Sequence, residues 1–167
     1  TLTVLTVSDD STNSILAFSK DETNVAPSGV FVITPTTGHF PKYSLDGITW
    51  TASDLPTDGN WKCLAAGDNK FVAIAYDSNT AASSTNGIDW VARAMPASRD
   101  WNGVVYGKPS TSDTGIFVAV AGNLNAGAYS INGTSWTSTT LPDGNDSTLN
   151  EYVDIAFGYD RFVALAN

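Results

Sequence analysis

Three carboxylates stand where this chain could do chemistry: Asp100, Glu151 and Asp154, each near the start of a short apolar run. Glycoside hydrolysis needs two carboxyl groups roughly 5 to 10 Å apart across a sugar, one as acid and one as nucleophile or base. Ligand binding asks for less, a carboxylate facing a polar channel. Asp154 is the most unusual of the three, because it interrupts the run YVDIAFG at a position where other copies hold Cys63 and either Gly103 or Val104. Such an aspartate also serves well lining a wet channel or bonding to backbone. With 17 acidic residues in the chain, chance pairs come easily. The three are therefore assigned as ligand-binding candidates, and no catalytic set is assigned.

The other reactive side chains have less support from their surroundings. His39, the single histidine, sits in a loop beside Pro41 with no spacing that suggests a zinc cluster or a Ser-His-Asp triad. Cys63 is the single cysteine, so an intrachain disulfide is excluded, and its apolar strand makes it a small buried side chain. Asp58-Gly59-Asn60 and Asp143-Gly144-Asn145-Asp146 are oxygen-rich. Calcium is the one cofactor they bring to mind, but neither has an EF-hand register, and Asp-Gly-Asn is first of all a turn.

The elements that must position these groups repeat. YSLDGITW (Tyr43–Trp50) returns as SSTNGIDW (Ser83–Trp90) and YSINGTSW (Tyr129–Trp136). The shared residues are Ser44, Asp46, Gly47 and Trp50; Ser84, Asn86, Gly87 and Trp90; Ser130, Asn132, Gly133 and Trp136. Asp-Gly or Asn-Gly between strand-like runs predicts a type I′ hairpin turn with φ > 0 at both central residues. The tryptophan is expected on the outgoing strand, where it supplies a large buried surface. Each unit then continues through Leu-Pro or Met-Pro to an aromatic (Trp61, Trp101, Tyr152), a glycine six residues on (Gly67, Gly107, Gly158) and Phe-Val-Ala. Helical periodicity is missing, and apolar runs of about five residues alternate with Gly, Asn, Asp and Pro.

A four-stranded unit at this period predicts an all-β fold, a β-propeller of four-stranded antiparallel blades. Three complete blades are expected at about 13–53, 61–94 and 101–139, with partial blades at both ends: 152–167, and an N-terminal strand 1–7 from a neighbouring or closing blade. One such sheet cannot bury both its faces alone, so blades are expected to stack. The array reads as part of a larger propeller rather than a small closed ring, because the third strand and Asp-Gly turn expected after FVALAN are missing and closed propellers take about four to eight blades. Another chain segment or subunit is expected to cover Phe162–Asn167.

The formal net charge is −9, which repels phosphate backbones and argues against nucleic acid as a partner. No apolar run is long enough to insert in a membrane as a helix.

The unit Ser-x-Asp/Asn-Gly-x-x-Trp resembles the Asp-box, or bacterial neuraminidase repeat, whose form is Ser-x-Asp-x-Gly-x-Thr-Trp. This chain lacks the residue between Asp and Gly, carries Asn in two copies, and has the preceding threonine only at Thr49. The wider unit is similar to propeller repeats of bacteriophage tail and fibre proteins and of some bacterial surface proteins. The resemblance implies that the motif is scaffold, at the blade periphery and away from a central pocket. It further implies a non-catalytic structural or binding module of a virion (phage tail, fibre or appendage) or cell-surface assembly, located on a virion or extracellular surface. Its partners would be other subunits or further chain segments and a receptor or glycan. A bacterial assembly factor or adhesin is a related expectation. The alternative is a fragment of a sialidase-like glycoside hydrolase. Sialidases of the Asp-box type use three arginines, a tyrosine nucleophile with a glutamate partner, and an aspartate acid/base. Arg93, Arg99 and Arg161 occupy unlike places in the repeat, and Glu22 and Glu151 are the only glutamates.

Overall fold

A computed structural model describes residues 14–20, 29–35, 38–123, 125–142 and 151–167. The expected N-terminal strand 1–7, the loop 21–28 and the oxygen-rich loop Asp143–Asp146 lie outside the described residues. Every regular element among the described residues is a strand. β1 (Ser14–Lys20), β2 (Gly29–Pro35), β3 (Lys42–Ser44) and β4 (Thr51–Ala52) make one sheet in that order. β5 (Trp61–Gly67), β6 (Lys70–Ala75), β7 (Ser78–Ser84) and β8 (Val91–Arg99) make a second. β9 (Trp101–Gly107), β10 (Ile116–Ala121), β11 (Ala126–Ser130) and β12 (Thr137–Thr140) make a third. β13 (Tyr152–Gly158) and β14 (Arg161–Ala166) pair alone. The strands within each sheet pair antiparallel. The first strands lie side by side, β1 by β5, β5 by β9 and β9 by β13, so the sheets stack as blades around a common inner edge. The architecture is that of a partial β-propeller.

Stacking explains the composition of each second strand. In β6, Phe71, Val72, Ala73 and Ile74 are all essentially buried, because both faces of the sheet are covered. Phe71 and Ala73 join Val32, Leu64 and Trp61 on the side of the first blade. Val72 and Ile74 join Cys63, Trp101, Phe117 and Ala119 on the side of the third. The outer strand β12, reading Thr-Ser-Thr-Thr, pairs with β11 alone among the described residues and is exposed throughout.

The glycine six residues after the aromatic has a packing reason in two of the three copies, Gly67 and Gly107, while Gly158 has open space at its Cβ. A Cβ on Gly67 would lie 2.0 Å from Tyr106 Cγ, and one on Gly107 would lie 2.3 Å from Phe157 Cδ2. The ring of the following blade therefore rests directly on the glycine backbone.

Two expectations about the motif are overturned. The turn is not type I′, because only the glycines have positive φ: 74° at Gly47, 72° at Gly87 and 65° at Gly133. The flanking strands pair through Tyr43↔Thr51, Ser83↔Val91 and Tyr129↔Thr137, so the connection is a wide loop from the serine to the tryptophan. Side-chain acceptors hold it open, satisfying backbone N–H groups that a tight hairpin would pair across strands. Adjacent pairs with φ > 0 occur elsewhere, at Asp68-Asn69 (50° and 55°) and Tyr159-Asp160 (48° and 66°), where two residues join β5 to β6 and β13 to β14. The second correction concerns the indoles. Trp50, Trp90 and Trp136 are only half-buried and stand one residue before the outer strand rather than on it. The fully buried indoles are Trp61 (0% exposed) and Trp101 (1%), which open the inner strands, where the stacked sheets enclose a side chain from more sides.

Candidate functional site

The motif loops are built alike. In the first, the backbone N–H of Gly47 donates to Ser44 Oγ at 2.8 Å, and those of Ile48 and Thr49 donate to Asp46 Oδ1 at 2.8 and 2.7 Å. Asn86 Oδ1 accepts from Ile88 and Asp89 at 2.9 Å each, and Asn132 Oδ1 accepts from Thr134 and Ser135 at 2.9 Å each. The serine hydroxyl donates to the same oxygen in every copy, at 2.9, 3.0 and 3.1 Å. These bonds hold the Asp46 carboxyl at about 2, below its usual 3.8, with the Thr49 and Ile48 amides the main causes. The loops also reach across to the neighbouring sheet. A Cβ on Gly87 would lie 2.6 Å from Val32 Cγ2, and one on Gly133 would lie 3.0 Å from Val72 Cγ2. Lys70 Nζ donates to Asn132 O at 2.7 Å. The motif is thus a clasp between consecutive blades.

The candidate carboxylates lie at the other edge, where the inner strands begin. Asp100 and Glu151 occupy equivalent places, immediately before Trp101 and Tyr152, as Asn60 does before Trp61. All three carbonyls close the blade in one way, accepting from Gly122 at 2.8 Å, Asn167 at 2.9 Å and Tyr76 at 2.8 Å. Asp154 is exposed on β13 opposite Leu165, and its Oδ1 accepts from the Ile155 N–H at 2.8 Å. The pairing sets it level with Cys63 and Gly103. Two residues at this edge escaped the sequence reading. Lys62 Nζ donates to Asn102 Oδ1 at 2.7 Å and lies 4.4 Å from the centre of the Tyr76 ring, while Asn102 Nδ2 donates to Tyr152 O at 2.8 Å. Together they tie three consecutive blades. Their common place, one residue after the aromatic, was the signal that would have found them. The starts of the inner strands therefore carry, on separate blades, the Lys62 ammonium, the Asn60 and Asn102 amides and the Asp100, Glu151 and Asp154 carboxylates.

The remaining candidates have structural partners. Cys63 is buried, its Sγ 3.3 Å from Trp101 O, and burial pushes the thiol up to about 12, with Lys62 opposing and Asp154 adding to the shift. His39 Nδ1 meets the Asp58 carboxylate, and Gly38 bridges Gly59, so the Asp58-Gly59-Asn60 turn is tied to the loop that leads into β3. Among the described residues no three His, Cys, Asp or Glu side chains gather to hold a metal ion. Arg93 Nε donates to Ser83 Oγ at 3.0 Å on the outer strands. Arg99 reaches Asn123 at 3.4 Å and lines a cleft of about 380 Å³ with Pro96, Gly127 and Thr139 between two blades. Arg161 is exposed at the start of β14. The three guanidinium groups stand in three separate surroundings.

Fold and edge together define a propeller-type module. The chain matches no protein-family model and no curated protein. It is similar in structure to virginiamycin B lyase from Staphylococcus aureus, in a selenomethionine form and in a catalytically inactive form with quinupristin. Both superpose with a TM-score of 0.66 at 16% identity over 91% of this chain and 48% of the lyase. It is also similar to YCF48 bound to D1 peptide, with a TM-score of 0.56 at 13% identity over 83% of this chain and 44% of that one. The chain spans about half the length of these structures, and the likeness at such identity is one of fold.

Proposed function

We infer that the chain is a non-catalytic propeller module of a larger assembly, with scaffold work done by the motif loops and binding done at the mouth of the inner strands. The observation behind this reading is how the motif's polar atoms are used. In each copy the serine and Asp/Asn oxygens are occupied by the loop's own N–H groups, which leaves the repeat's signature an architectural one. Binding then falls to Lys62, Asn102, Asp100, Glu151 and Asp154. The repeat's resemblance favours a virion or extracellular surface, as a phage tail, fibre or appendage component. Leu45, Ile48 and Ile131 project from the motif loops with 66%, 78% and 63% of their surface exposed, a contact surface suited to other subunits or chain segments. A receptor glycan fits the polar mouth, and the peptide bound to the similar YCF48 makes a peptide the neighbouring ligand class.

A glycan microarray and a panel of fluorogenic glycosides test this together. The expected result is retention of specific glycans, weakened by Asp154→Asn, without fluorophore release. Turnover that Asp154→Asn or Glu151→Gln abolishes would instead place the chain with the sialidase-like hydrolases.

A further inference from the structure

β13 and β14 form a sheet of two strands, while the other three sheets have four. The pair is nonetheless docked as firmly as a blade. Tyr152 O accepts from Asn102 at 2.8 Å, Asp160 Oδ1 accepts from the Ser110 N–H at 2.6 Å, and Ile155, Phe162 and Ala164 pack on Val118 and Val120. What differs is the far face. Val163 and Leu165 are 62% and 63% exposed, whereas their counterparts Val32 and Thr34, Val72 and Ile74, and Val118 and Val120 are buried. The outer edge of β14 pairs with no strand among the described residues.

In every four-stranded sheet that edge takes the same partner in the same register. The motif serine stands opposite the phenylalanine: Ser44 opposite Phe31, Ser84 opposite Phe71, Ser130 opposite Phe117. The following glycine seats between that phenylalanine and a valine of the preceding blade, Gly87 between Phe71 and Val32, and Gly133 between Phe117 and Val72. Phe162 and Val118 hold the corresponding positions, packed in one cluster. We propose that β14 receives, by strand addition, a hairpin of the chain's own repeat type, Ser-x-Asp/Asn-Gly-x-x-Trp, with its serine opposite Phe162 and its glycine over Val118. The blade–blade interface already repeated along the molecule continues there, and an apolar open edge is otherwise a site of unwanted pairing. This register is independent of any ligand at the inner strands.

A fluorescently labelled peptide spanning residues 126–142 of this chain, which carries one such hairpin, is the probe. The expected result is a saturable rise in polarisation with the 167-residue protein, together with slowed amide hydrogen exchange in β14. A Gly133→Val form of the peptide, whose side chain would enter the Val118–Phe162 seat, is expected to lose both effects. Failure of both peptides, or equal binding by both, overturns the proposal. So does self-association of the protein alone that Leu165→Lys abolishes, since the edge would then belong to a second copy.

Discussion

Asp46 is the one motif acceptor that titrates, since the other two copies use Asn86 and Asn132. Its folded carboxyl sits at about 2 against an ordinary 3.8. A group depressed in the folded state contributes stability that is whole above the ordinary value and lost as pH falls through the folded one. The first blade should therefore weaken between about pH 4 and pH 2, while the Asn loops keep their bonds. Melting curves of the parent and Asp46→Asn across that range check this. The parent is expected to be the more stable near pH 7, with the gap closing towards pH 2. A constant gap would mean that the Thr49 and Ile48 amides do not depend on the charge. The motif residues were legible in the sequence because they recur. Their use was only partly so, since Asp-Gly reads as a two-residue turn until the oxygen's partners are known. Lys62 and Asn102 share a place one residue after the aromatic, but their bonds form across blade boundaries, so the spacing marks the residues without stating their partners.

The strands were legible from short apolar runs and from the glycines and prolines between them, because both faces of a stacked sheet are buried and the runs lose their alternation. Which aromatic carries the core was not legible. Trp50, Trp90 and Trp136 looked like the anchors, yet the enclosed indoles are Trp61 and Trp101. Burial is set by what lies above a strand, and residue type alone does not report it. Trp101→Ala should cost about 3 to 5 kcal/mol, the range for a large aromatic removed from a packed core. Trp90→Ala should cost clearly less, since its indole is half-buried and the Phe71 ring stands 6.5 Å away centre to centre. Chemical denaturation of the two variants settles the order, and equal losses would return the motif indoles to the role of anchor.

At the scale of the whole molecule, contacts recur from one sheet boundary to the next: a loop glycine on the preceding valine at Gly87 and Gly133, an aromatic ring on a glycine backbone at Gly67 and Gly107, and a polar ladder from Lys62 through Asn102 to Tyr152. The period of the repeat made stacking legible. A binding site was not, because residues at the same repeat place differ in chemistry from blade to blade, as Asn60, Asp100 and Glu151 do. The similarity to much longer propeller chains concerns fold, so the proposed binding at the inner strands and at the β14 edge has to be tested on this chain's own residues. Beside the shared apolar clusters, the clasp joins consecutive blades, and a thermodynamic cycle on Gly87 and Val32 tests it. Gly87→Ala alone meets a positive φ and Val32 Cγ2 at 2.6 Å, and should cost about 2 kcal/mol or more. Gly158→Ala, with open space at its Cβ, should cost little. If the loop presses on the preceding blade, Val32→Ala will relieve part of the Gly87→Ala penalty, giving a coupling on the order of 1 to 2 kcal/mol. Strict additivity of the two substitutions would contradict the clasp and the stacked-blade account built on it.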